Sequence, residues 1–232
     1  MAIKWAPELP DPNTLRPEEI DAYNFMLSRV KGSEEANIGT IDGEPYGAAY
    51  FRALANSPII GEALGRLGST AMELPGKPGT LSAAEHEFID AIIAFDSDYT
   101  WLMAGHAPLA IKAGVRIQAL EALRDKQEDR LTEDEKELVE FTRAVRDGTV
   151  TSEIWKRLIT KMGSERGAIE YSFFVLLVLL NHLLAKAMGV PDMSPDELTI
   201  MFKKFNEEGG EPASYKSYAQ LYGDAPFKTH ED

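Results

Sequence analysis

The amino-acid sequence predicts an all-α protein, and three observations carry that expectation. Apolar residues recur every three to four positions along most of the 232-residue chain, the spacing that lines one face of a helix. Ser82 stands three residues before Glu85, and Thr132 three before Glu135. In that arrangement each side chain satisfies a backbone N–H left open at a helix start. No stretch sustains the alternation of apolar and polar residues that a half-buried strand needs, so strands are hard to place.

Taken in order, the chain opens with a Pro-rich lead-in over residues 1–15. Pro17 then occupies a first-turn position, and Ile20, Tyr23, Met26, Leu27 and Val30 make the apolar face of a helix that should end near Gly32. Residues 32–47 are Gly-rich and polar and read as a loop. Ala48 to Ala55 reads as helix, and Ser57-Pro58 caps another that carries Ile59, Ile60, Leu64 and Leu67. These N-terminal helices, residues 16–75, lead through the connector LPGKPGT into a core over residues 81–190.

The core begins with the helix opened by Ser82, apolar through Phe95. A helix from Thr132 through Val145 is stopped by Asp147-Gly148, and Ser152 precedes one bearing Ile154, Trp155, Leu158 and Ile159. Ser164 starts the most hydrophobic helix, ended by Gly189 and Pro191. Residues 191–232 hold a last helix from Ser194-Pro195 through Phe205 and a tail with Tyr215, Tyr218 and Tyr222, expected to lie on a neighbouring element or another subunit. A single domain over residues 1–232 is expected, because the chain is below the ~250–300 residues at which one core normally splits.

Composition narrows the partners. Acidic residues number 38 against 24 basic ones, for a formal charge of -14, which repels a polyphosphate backbone; no nucleic acid is expected. The absence of cysteine removes disulfides, thiolate ligands and sulfur nucleophiles, and fits a reducing cytoplasm. The start MAIKWAPELPDP has no apolar signal region. The most apolar run, Phe173 to Leu180, is far below the ~20 residues that span a bilayer, so a buried helix and no membrane contact are expected.

Chemistry-bearing residues are few. Glu87 adjoins the apolar pattern Phe88, Ile89, Ala91, Ile92, Ile93, Phe95. A carboxylate there has a raised pKa unless a positive partner holds it ionised. Tyr99, Leu102, Met103 and His106 recur at three- to four-residue steps and are expected on one helix face. Pro108 cannot donate to the Ala104 carbonyl, so a helix here must kink or restart near His106. On spacing alone, His106 is either a proton-transfer group or a structural histidine at a helix break. His230 falls in the charged terminal tail.

At these residues the chain resembles the carboxymuconolactone-decarboxylase/alkylhydroperoxidase family. The resemblance rests on Glu87, on WLMAGHAPLAIKAG ending at Gly114, and on a following helix through Leu123. It extends to YFRALANSPIIGEAL and to LTEDEKELVEFTRAV, GTVTSEIW and FFVLLVLLNHLLAKAMGV, covering most of residues 16–190. The family's glutamate falls on Glu87 and its histidine on His106, whereas its two redox cysteine positions fall on Tyr99 and Leu102. Thiol peroxidase chemistry is thereby excluded. The resemblance implies an antiparallel helical bundle of the alkylhydroperoxidase-like type, assembled as a dimer, trimer or hexamer, with the site between helices near a subunit contact.

The expected activity is that of a cofactor-free lyase of the decarboxylase type. Glu87 and His106 serve as acid–base pair on a small carboxylated or lactone-type metabolite. Tyr99, Trp101, Leu102 and Met103 are candidate pocket residues, although aromatics at helical spacing also build cores. His86, Asn181 and His182 are candidates for supporting positions. His86 is expected beside the pair or at the surface, because adjacent helical residues point about 100° apart. Lys112 and Arg116 are candidates to pair with a substrate carboxylate. A metal site of Glu87, His106 and His182 lacks HxxxH or ExxH spacing on one helix, so neither metal nor other cofactor is expected. The alternative is a non-catalytic oligomeric binding protein with the same helices.

Overall fold

Helix starts fall where capping residues stand. In the computed structural model, which describes residues 8–35, 40–41, 44–72 and 81–207, the Glu85 N–H donates to Ser82 Oγ at 3.1 Å. The Glu85 carboxylate in turn accepts the Ser82 N–H at 2.8 Å. Thr132 and Glu135 repeat the exchange, each cap contributing about 1 kcal/mol. The described residues form ten α-helices: α1 (Ile20–Glu35), α2 (Tyr46–Ala55), α3 (Pro58–Met72), α4 (Ala83–Asp96), α5 (Met103–Ala113), α6 (Ile117–Arg124), α7 (Glu133–Arg146), α8 (Ser152–Met162), α9 (Glu165–Ala187) and α10 (Pro195–Glu207). Among the described residues the protein is helical but for turns, loops and two paired dipeptides, β1 (Thr40–Ile41) and β2 (Glu44–Pro45), which meet antiparallel within the expected loop. Two residues per strand are too few to produce a readable alternation.

Two helix limits differ from the sequence reading. Helix α1 continues past Gly32 to Glu35. A helical glycine costs only about 1 kcal/mol, and α1 is held along its length by α2 and α3. Tyr99 to Leu102 lie outside any helix, because Asp98 adopts φ +48° and turns the chain after α4. The restart expected near His106 does not occur: α5 begins at Met103, runs through Pro108 to Ala113 and ends at Gly114, φ +102°.

Helices α1, α2 and α3 pack on one another; α4 is the central element, against α5, α6, α7 and α9. Every α4 residue from His86 to Phe95 is buried, and one apolar cluster runs from Tyr23 to Phe205. The C-terminal end of α4 is tied to α7 by Asp96, which accepts from Arg143 at 2.8 Å twice and pairs with Arg146. Helix α9 is apolar on both sides. Tyr171, Phe174, Val178 and His182 face the core, while Ile169, Leu176, Leu180 and Leu183 are exposed. Over its 23 residues this helix is long and apolar enough to cross a membrane by length and composition, although the shorter run read from the sequence is not. The lead-in through residue 7, the connector over 73–80, and the tail with Tyr215, Tyr218, Tyr222 and His230 lie outside the described residues.

Candidate functional site

Central burial of α4 determines where its polar residues go. His86, Glu87 and Asp90 are each 2% exposed, so their polar atoms find partners within the protein or none at all. Helix α5 brings His106 alongside from its first turn, its side chain 24% exposed. Its Nδ1 stands 2.9 Å from Glu87 Oε2 and 3.0 Å from Asp90 Oδ2. A ring nitrogen has one proton to donate, and the aligned bond goes to Glu87; Asp90 Oδ2 is left without an aligned donor. The edge of the ring that carries Nε2 is thereby turned away from both carboxylates.

Electrostatics fix the charges. Burial by itself pushes Glu87 up, yet the charge and hydrogen bond of His106, with a contribution from His86, hold it well below the usual carboxylate range. Burial likewise pushes His106 down, and the adjacent Asp90 and Glu87 overcome this and hold it well above an ordinary histidine. The pair is imidazolium and carboxylate, the conditional case in which a positive partner keeps a buried carboxylate ionised.

His86 is not at the surface. Its ring stacks on Phe174 of α9 at 3.7 Å between centroids, and Nδ1 lies 3.8 Å from Glu87 Oε1. The 100° between neighbours does not separate them, because α4 is enclosed on all sides and the Glu87 side chain is long enough to reach across. Asp90 was not singled out by the sequence reading. Its signal was available in His86-Glu87-Phe88-Ile89-Asp90, where Asp90 follows His86 by four residues and Glu87 by three, both same-face spacings. One ligand atom from each of His86, Glu87 and Asp90 lies within 4.8 Å of the other two.

The expected pocket divides. Leu102 holds the start of α5, its carbonyl accepting the His106 N–H at 3.1 Å, and Met103 is fully buried. Tyr99 belongs to a second polar network, and Trp101 packs beside it. The Tyr99 hydroxyl donates to the Val190 carbonyl at 2.7 Å, so it is committed to the backbone. Trp101 packs on the Tyr50 ring at 5.2 Å. Asn181 Oδ1 accepts from the Tyr50 hydroxyl at 2.8 Å. His182 does not join Glu87 and His106: its Nε2 meets Ser97 Oγ at 2.6 Å, and Tyr99 meets its ring edge-on. Burial, then Lys186, pushes His182 down to about 4, so it is neutral near pH 7. Arg116, a candidate for a substrate carboxylate, donates to both carboxylate oxygens of Glu135, at 2.5 and 2.9 Å. A cleft of about 390 Å³ along α7 and α8 is lined by Glu128, Lys136, Glu140, Arg143 and Asp147, away from the cluster.

What the cluster offers chemically is a partly accessible imidazole fixed at one edge by Glu87, with Asp90 beside the same nitrogen. No family model, characterised protein or solved structure matches the chain.

Proposed function

We propose that the chain is a lyase-type acid–base catalyst of the carboxymuconolactone-decarboxylase/alkylhydroperoxidase kind, acting on a small carboxylated or lactone-type metabolite. The observation that carries this reading is the Glu87–His106 contact at 2.9 Å, with Asp90 at 3.0 Å from the same nitrogen. The bond from Nδ1 to Glu87, with Asp90 beside it, fixes the ring and presents Nε2 for proton transfer, the arrangement by which an acidic residue orients a catalytic imidazole. In a decarboxylation, the electron pair left on carbon as CO2 departs takes up a proton from Nε2. No thiol step is available, since the chain has no cysteine.

The same reading has the protein act in the cytoplasm as a homo-oligomer, without nucleic acid or membrane. A second copy is supported by the exposed seam Ile169, Leu176, Leu180, Leu183 on α9, whose steps of seven, four and three repeat the spacing of helix-pairing surfaces. With Glu165 at one end of the seam and Lys186 at the other, antiparallel pairing sets opposite charges together.

The second reading, a non-catalytic binding protein, is favoured by the 2% exposure of Glu87 and Asp90. The test is CO2 release from a panel of small unsaturated lactone acids. The acid–base reading expects a loss of about 100-fold or more in both His106→Gln and Glu87→Gln. Wild-type rates in both variants overturn it.

A further inference from the structure

We infer that His86, Glu87 and Asp90 form a binding site for one divalent transition-metal cation. His86 and Asp90 stand four residues apart on α4, one above the other on a single face, with Glu87 beside them. One ligand atom from each lies within 4.8 Å of the other two. Ligands that share a cation at 2.0–2.2 Å stand about 3–4 Å from each other, so small side-chain rotations close the set. The His86 Nδ1 to Glu87 Oε1 separation of 3.8 Å already has that spacing. It is too long for a hydrogen bond and fits two ligands of one ion.

An independent observation points to a ligand. The Asp90 side chain is 4% exposed, yet its Oδ2 accepts no aligned hydrogen bond, because the Nδ1 proton of His106 goes to Glu87. Buried carboxylate oxygens normally meet donors; an oxygen held among imidazole and carboxylate groups without one is a coordination position.

Glu87 serves both sides. Its Oε1 faces His86 and its Oε2 accepts from His106, so His106 becomes the outer partner that orients a ligating carboxylate. The inference therefore goes beyond the acid–base reading and does not depend on it. One imidazole and two carboxylates suit zinc, manganese or ferrous iron, in contrast to the all-oxygen cages of calcium.

The test is zinc binding by the full chain after chelator treatment, followed by equilibrium dialysis and titration calorimetry, with manganese as a second probe. The expected result is one equivalent of cation, a raised thermal midpoint, and affinity weakened roughly tenfold or more in Asp90→Asn but unchanged in His230→Gln. Circular dichroism establishes that Asp90→Asn is folded; if it is not, His86→Gln supplies the comparison. Absence of saturable binding of either cation overturns the inference. So does stoichiometric binding of equal strength in Asp90→Asn and His86→Gln. Neither result bears on proton transfer, which the activity of His106→Gln tests separately.

Discussion

His106 and His182 sit on helices that both pack against α4, and their surroundings shift them in opposite directions. His106 faces Glu87 and Asp90 and is held protonated. His182 faces a serine hydroxyl and a tyrosine edge, with Lys186 near, and is held neutral. Burial disfavours the charged form in both. Only a carboxylate neighbour reverses it, so the function of a buried histidine here is read from its partners and not from its depth.

The largest effect is expected from removing the carboxylate that holds His106 charged. Glu87→Ala removes the acceptor of the His106 Nδ1 proton and leaves a cavity where a buried side chain stood, and the lost charged hydrogen bond and the cavity together cost about 3–5 kcal/mol. Urea unfolding near pH 7 reads this directly. A loss below 1 kcal/mol would mean that the cluster is solvated and that the two histidines differ less than their contacts state.

A middle-sized effect sharpens the other side. His182 has a folded pKa of about 4, below the ordinary value of about 6.5 for an unfolded chain. The unfolded state therefore takes up the proton first as pH falls. The stability that His182 contributes is complete above about pH 6.5 and is lost as pH falls through about 4, on the order of 2–3 kcal/mol in all. Unfolding free energies of wild type and His182→Gln, followed from pH 7 to 4, should converge by that amount. Parallel curves would contradict a neutral buried His182.

The smallest effect concerns Tyr99. Tyr99→Phe removes the donor to the Val190 carbonyl and should cost about 1–2 kcal/mol, with turnover unchanged. A loss of turnover at wild-type stability would return Tyr99 to the pocket where its spacing had placed it.

How much was legible in the sequence differs between the same two regions. The start of α4 was written in Ser82 and Glu85, and the resemblance marked Glu87 and His106, which the structure brings into contact. Asp90 was hidden because it interrupts an apolar run, where a polar residue reads as noise until its same-face spacing to Glu87 is counted. Tyr99 was misplaced because periodicity was carried across Asp98, whose left-handed backbone ends the regular path. Positive φ at an aspartate has no periodic signature. The partner of His182 was equally out of reach, since Ser97 lies 85 residues away in the chain.

The most direct measurement of the central claim is CO2 release from unsaturated lactone acids by His106→Gln and His182→Gln side by side. His106→Gln should lose about 100-fold or more while His182→Gln stays within a few-fold of wild type in its stable pH range. Equal rates in the two variants would contradict it.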